Sequence, residues 1–306
     1  MSMPDSLDTL PHVIHIGFPK CASTYLQQWF AAHPQIAYKP GGLAGAYNIY
    51  DLIASVLEKS GEARCAVTSA EQISAPLDPG SYGIINFDGE MLPREHIDEV
   101  CARLAQWFPD ASILMITRNH ADVLKSSYSE LVSHGRLEFG AEAATFNSAN
   151  LEAAPPFDYD NMLDLYSRHF AGRVLALPYE LLVDDEAGFL RHVAQFMGID
   201  AFNPPIGKVN SGLNDEELYY YPRIGAVLRR FALNGLLYRG LSKVHRVMIK
   251  RGGWKRLIAV MAKSRQRRDT GFTIPAGVLR KMSQNCETLV QSEIYAPYRE
   301  LYLRKD

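Results

Sequence analysis

Gly17-Phe18-Pro19-Lys20-Cys21-Ala22-Ser23-Thr24 joins a β-branched run, His12-Val13-Ile14-His15-Ile16, to a segment whose apolar residues fall at helical spacing. The reading of this stretch decides the fold. A strand closes at Gly17, and a helix is expected from Lys20 to His33, stopped by Pro34. Tyr25, Trp29 and Ala32 recur at i, i+4, i+7 with Leu26 and Phe30 beside them, which predicts the buried face of that helix. Strand, short loop and helix in this order are the opening unit of an α/β sheet.

The same alternation continues along the chain. Tyr82-Gly83-Ile84-Ile85-Asn86-Phe87 reads as a strand, followed by a helix over 94–108. Residues 112–117, Ser-Ile-Leu-Met-Ile-Thr, form a buried type of strand, followed by a helix over 121–133. A strand over 173–178 leads into a helix over 186–197. The expected fold is therefore a three-layer α/β/α arrangement with a mainly parallel central sheet and a phosphate-loop-like site. Residues 138–160, rich in Ala, Asn and Pro, predict a loop or lid. Pro204-Pro205 opens another loop running to Asn214, and a last helix is expected over 279–291. The expected organisation is an α/β core over 1–215 and a basic, helical C-terminal extension over 216–306 that packs on the same domain.

Composition supports a globular chain: 306 residues, 47% hydrophobic and 22% charged, are enough to bury a full core and too apolar for disorder. The net charge of −2 hides a division. Residues 220–270 hold 14 basic residues and one acid, Asp269, a local +13, whereas the remainder carries 18 basic and 33 acidic residues, −15. The basic stretch predicts two amphipathic helices broken at Gly252-Gly253. It has no nucleic-acid reader motif and few aromatics for base stacking, so a nucleic-acid partner is not expected. No apolar run has signal-peptide or membrane-spanning character, and Cys21, Cys65, Cys101 and Cys286 are too scattered for a disulfide frame or a zinc site. A cytoplasmic chain with reduced, structural thiols is expected.

The free N–H groups at the start of a helix, with its positive dipole end, make an anion site of residues 17–24. The eight positions overlay on the nucleotide-binding G-x-x-x-x-G-K-[ST], with two departures: Ala22 stands where Gly would, and Ser23 where Lys would. The lysine sits earlier, at Lys20. A kinase needs its lysine on the β/γ-phosphates and a Mg²⁺ beside them. Ser23, Thr24, one lysine and the loop amides suit a smaller anion, and spacing alone leaves open an ordinary capped helix with an incidental lysine. The strand over 112–117 ends in Arg118, and Ser126 follows eight residues later on the next helix. Arg with its planar fork and Ser with its short hydroxyl can clamp one phosphate from two directions.

Pro19-Lys20-x-x-Ser23-Thr24-x-Leu26 resembles the 5′-phosphosulfate loop of the sulfotransferases that use 3′-phosphoadenosine 5′-phosphosulfate. Arg118-Asn119-x-x-Asp122-Val123-x-x-Ser126-x-Tyr128 resembles that family's 3′-phosphate motif, and Tyr179-Glu180-Leu181 a third landmark. Together these cover roughly residues 12–200, with His120 in place of a frequent proline. The resemblance implies in-line transfer of a sulfuryl group to an acceptor hydroxyl without a metal. It makes Lys20 catalytic, and assigns the 5′-phosphosulfate to Gly17, Pro19, Lys20, Cys21, Ala22, Ser23, Thr24 and Tyr25. Arg118 and Ser126 would hold the 3′-phosphate, and Lys208, Asn210 and Ser211 would either close over the nucleotide or form a plain polar loop. Glu90 is the expected general base, with Asp88, His33, His96 and His134 as alternatives. The expected acceptor is a saccharide or glycoconjugate, lipid-linked or polymeric, ahead of a small phenol or alcohol. For residues 220–270 the alternatives are an anionic membrane surface, at the inner membrane face, an acidic polymer, a solvated helical surface or a homo-oligomer contact. A small-molecule or nucleotide kinase and a non-catalytic module that binds anionic surfaces are the competing readings.

Overall fold

The computed structural model describes residues 10–18, 20–38, 62–70, 73, 93–133, 157–205, 212–231, 235–263, 274 and 276–304. The chain divides into two compact units: Met1–Asn119 with Ala154–Val209 and Lys281–Arg304, and His120–Ala153 with Asn210–Arg280 and Lys305–Asp306.

The first unit is built on a five-stranded, wholly parallel sheet. Its strands are β1 (His12–Gly17), β2 (Ile36–Tyr38), β3 (Cys65–Ala70), β4 (Ser112–Thr117) and β5 (Val174–Pro178), in the order β2-β3-β1-β4-β5. β1 and β4 are buried along nearly their whole length, which is why both read as continuous apolar runs rather than alternating ones. β5 lies at the sheet edge and is half-buried at its first three residues. β3 has no counterpart in the expected strands. Its Cys-Ala-Val-Thr-Ser-Ala carries a single β-branched aliphatic, and its hydroxyls meet histidines of β1 across the ladder. His15 Nδ1 lies 2.8 Å from Ser69 Oγ, and His12 Nε2 lies 3.0 Å from Thr68 Oγ1. The strand expected over 82–87 lies outside the described residues.

The helices of this unit are α1 (Ser23–Ala32), α2 (Pro93–Trp107), α4 (Tyr159–His169), α5 (Tyr179–Asp184) and α6 (Glu186–Met197). In α1 the buried residues are Ser23, Leu26, Trp29 and Phe30, whereas Ala32 is exposed and Tyr25 half-buried, so the buried face is turned from the expected one. Trp29, on the expected face, is fully buried, and its indole N–H donates to the Phe202 carbonyl at 2.8 Å. Helix α6 has the expected bounds because its ends are written locally. Asp185 accepts from the Gly188 N–H at 2.8 Å, and Gly198 closes the helix at φ 67. A Cβ at position 188 would stand 2.1 Å from Asp185 Oδ2, so a larger residue there would make the capping carboxylate shift. Helix α4 starts inside the segment expected as a loop, capped by Asp158.

The second unit contains α3 (His120–Ser133), α7 (Asp215–Arg230), α8 (Gly235–Lys250) and α9 (Lys255–Lys263). Tyr128, Val132, Leu218, Tyr220, Tyr221, Ile249 and Ile258 form its core. Asn214 and Glu217 make a reciprocal capping box at the start of α7, with bonds of 2.9 and 3.0 Å. The basic stretch thus begins within α7 and continues through α8 and α9, which part at Gly252 as expected. Helix α10 (Ala276–Gln284) ends before the expected 291. Beyond it, both carboxylate oxygens of Asp160 take the Thr288 and Leu289 N–H groups at 2.8 Å, drawing the chain into 3₁₀ turns at Leu289–Gln291 and Glu293–Tyr298 before α11 (Arg299–Tyr302).

Candidate functional site

From β1 the chain runs toward β2 and β3, and from β4 it runs the other way, to β5. The neighbouring carboxyl ends of β1 and β4 are therefore the point where the strand order reverses, which is where open parallel sheets bind ligands. Gly17 pairs in register with Ile116, so the loop after β1 and Arg118 after β4 leave the sheet side by side.

The loop is tightly wound. Lys20 and Ala22 both have φ 64, a left-handed conformation that costs a non-glycine residue about 1 kcal/mol and marks functional backbone when the surroundings hold it. The Cys21 N–H closes the turn onto the Phe18 carbonyl at 3.2 Å. Ala22 is the N-cap of α1 and offers no side-chain acceptor to the first turn, which also lacks an acidic residue. Among the described residues no side chain caps the amides at the α1 start, an arrangement that leaves them open to an anion. Ser23 is buried and its hydroxyl donates to the Phe18 carbonyl at 3.5 Å, while Thr24 is exposed. Lys20 and Ala22 are half-buried and Cys21 is buried. Tyr25 donates its hydroxyl to the Glu186 carboxylate at the start of α6, and burial together with that carboxylate raises its pKa far above the ordinary phenol value.

Arg118 ties the two motifs together. Its Nη1 donates to the Lys20 carbonyl at 3.2 Å, and its guanidinium lies 4.4 Å from the centre of the Tyr179 ring. The Arg118 backbone carbonyl accepts the Tyr159 hydroxyl at 2.8 Å. Beneath it lies a polar network that the sequence reading did not find. Glu180 Oε1 accepts from the Asn119 backbone N–H at 3.0 Å and from its side-chain amide at 2.8 Å, and Glu180 Oε2 accepts from Tyr302 at 3.0 Å. Thr117 Oγ1 lies 2.9 Å from the Tyr295 hydroxyl and 2.8 Å from that of Tyr302. Burial holds the pKa values of Tyr159, Tyr295 and Tyr302 well above the ordinary phenol value, so these hydroxyls stay protonated and available as donors. The only sequence signal was the run of Tyr295, Tyr298 and Tyr302 at helical spacing near the C-terminus.

Ser126 is half-buried in α3, which belongs to the second unit. Pro19, Asp88, Glu90, His134, Lys208, Asn210 and Ser211 lie outside the described residues, as does the side chain of His96 on α2. His33 caps the C-terminus of α1. Its Nδ1 accepts the Gln35 N–H at 3.1 Å and its Nε2 reaches the Asp200 carbonyl at 3.1 Å, so both ring nitrogens hold the chain in place. All four cysteines are buried and none is in a disulfide; burial pushes Cys65, Cys101 and Cys286 up to about 12.

A family model described as the sulfotransferase family matches residues 95–204, the span that holds Arg118, Asn119, Ser126 and Glu180. Over this span the chain is similar to the sulfotransferase family. The matched residues begin after the loop over 17–24, so the loop enters through its own geometry and its contact with Arg118. A crystal structure of a sulfotransferase from Alicyclobacillus acidocaldarius aligns with 75% of this chain and 98% of that one, at 17% identity and a TM-score of 0.45. No curated protein matches the chain. Arg118, within the matched span, stands at the end of β4 directly against the loop ending β1.

Proposed function

We propose that the chain is a sulfotransferase that takes its sulfuryl group from 3′-phosphoadenosine 5′-phosphosulfate and passes it to an acceptor hydroxyl, with a saccharide or glycoconjugate favoured. The observation that carries the reading is the 3.2 Å bond from Arg118 to the Lys20 carbonyl, which sets the cation of one phosphate motif against the backbone of the other. The bound nucleotide supplies an activated sulfuryl group on a phosphate leaving group. Lys20 places a positive charge where negative charge develops on that phosphate, an electrostatic stabilisation by a preorganised cation. Thr24, Ser23 and the amides at the start of α1 hold the 5′-phosphate. Arg118 offers its fork to the 3′-phosphate, a role the resemblance shares between it and Ser126. Glu90 accepts the proton of the acceptor hydroxyl.

Lys20→Ala is expected to lower turnover by about 10²–10³-fold, the usual cost of one preorganised donor, while the unfolding midpoint stays near that of the parent. The measurement is transfer of labelled sulfate from the phosphosulfate nucleotide across an acceptor panel. Transfer at the parent rate would remove Lys20 from the role. Glu90→Gln tests the base separately and is expected to abolish the rise of turnover with pH while leaving binding of the desulfated nucleotide intact. A kinase would instead consume ATP, and phosphoryl transfer from ATP with no turnover of the phosphosulfate nucleotide would overturn the donor assignment.

A further inference from the structure

Residues 235–263, in the second unit, hold eight Lys and Arg and no Asp or Glu. In α8 three strips run along the helix. Tyr238, Leu241, His245 and Ile249 form the inward strip, half-buried at its first two residues and buried at the last two. Arg239, Lys243, Arg246 and Lys250, at i, i+4, i+7 and i+11, form an exposed basic strip. Leu237, Gly240, Val244 and Val247, at i, i+3, i+7 and i+10, form an exposed strip with no charge, and Leu236, 82% exposed, stands at the helix start. Helix α9 repeats the pattern, with Leu257, Val260 (68% exposed) and Met261 outward and Arg256 beside them. Leu257 and Met261 also line an open, largely apolar cavity of about 650 Å³, together with Tyr219, Arg223, Val227 and Trp254.

We propose that α8 and α9 dock on an anionic lipid surface, lying in the plane of the headgroups. The two kinds of strip together select this occupant. An acidic polysaccharide or a nucleic acid would answer the cations but leave a row of Leu, Val and Met against a hydrated polymer. A second copy of the chain would cover the apolar strip but bring two sets of cations together. A membrane interface answers both, because side chains of the apolar strip enter the acyl boundary while anionic phosphates meet the basic strip. Among the described residues no helix is long and apolar enough to cross a membrane, so the contact is a surface one. The proposal stands apart from the sulfuryl-transfer reading and does not depend on it.

The test is sedimentation of the full chain with phosphatidylcholine vesicles, alone and with phosphatidylglycerol added, over a salt series. The chain is expected to pellet with the anionic vesicles and not with phosphatidylcholine alone, and to release as salt rises. A variant combining Arg239→Gln, Lys243→Gln, Arg246→Gln and Lys250→Gln, and one combining Leu237→Gln, Val244→Gln and Val247→Gln, are each expected to weaken pelleting about tenfold or more. Should either variant fail to fold by circular dichroism, hydrogen exchange on the parent decides: vesicle-dependent protection centred on residues 235–263 supports the proposal, and protection elsewhere overturns it. Pelleting with both vesicle types alike, or with neither, overturns it. So does binding to a sulfated polysaccharide that the apolar variant keeps while anionic vesicles are ignored, which would make the face a polymer site. Self-association in sedimentation velocity that vanishes in the apolar variant, without lipid binding by the parent, would assign the face to a second copy.

Discussion

Arg118 is held by a carbonyl on one side and an aromatic face on the other, and the polar groups below it are themselves paired. Its guanidinium reaches Lys20 and Tyr179, its own carbonyl takes Tyr159, and the next residue, Asn119, is locked twice onto Glu180. A lysine here keeps the charge and loses the planar fork and most of the stacking. Arg118→Lys is expected to raise KM for the phosphosulfate nucleotide about tenfold, the worth of one charge-assisted bond, with kcat changed less. Steady-state kinetics with the donor varied is the measurement, and an unchanged KM would move the 3′-phosphate elsewhere. Much of this was legible at the residue level, because Lys20, Arg118 and Glu180 stand in motifs. The partners Tyr159, Tyr295 and Tyr302 were not, because the Tyr302–Glu180 bond joins residues 122 apart and leaves no local pattern.

Elements are where local chemistry and burial meet, and β1 shows the consequence most plainly. His15 is fully buried in the middle of a parallel sheet, and burial pulls its pKa down to about 3. The unfolded chain takes up a proton near pH 6.5, the ordinary value for a histidine, that the folded chain refuses. The stability tied to His15 is thus complete above about pH 6.5 and drains away as pH falls toward about 3. His15→Gln is expected to flatten the pH dependence of stability between those limits by up to about 1.4 kcal/mol per pH unit. Urea unfolding at several pH values measures it, and an unaltered slope would mean that His15 titrates normally. Apolar strands β1 and β4 and capped helix α6 were legible because their signals are continuous or terminal. Strand β3 was not, because a strand built from Cys, Ala, Thr and Ser draws its stability from neighbours rather than from its own side chains.

For the molecule as a whole, the core of the second unit is drawn from α3 and from helices nearly a hundred residues later. Leu218 is wholly buried there, and Leu218→Ala is expected to cost about 2–5 kcal/mol in chemical unfolding, as truncations of buried leucines do. A loss below about 1 kcal/mol would show that this cluster repacks freely. The α/β class, the loop between β1 and α1, the arginine after β4 and the basic character of 220–270 were all legible, since each is written in consecutive or helically spaced residues. What needed the folded chain is that β1 and β4 are neighbours at the reversal of strand order, that Arg118 rests on the Lys20 carbonyl, and that Tyr302 donates to Glu180. Periodicity records which side of an element meets the core. Which strand lies beside which is set by long-range packing, and no single stretch of chain carries it.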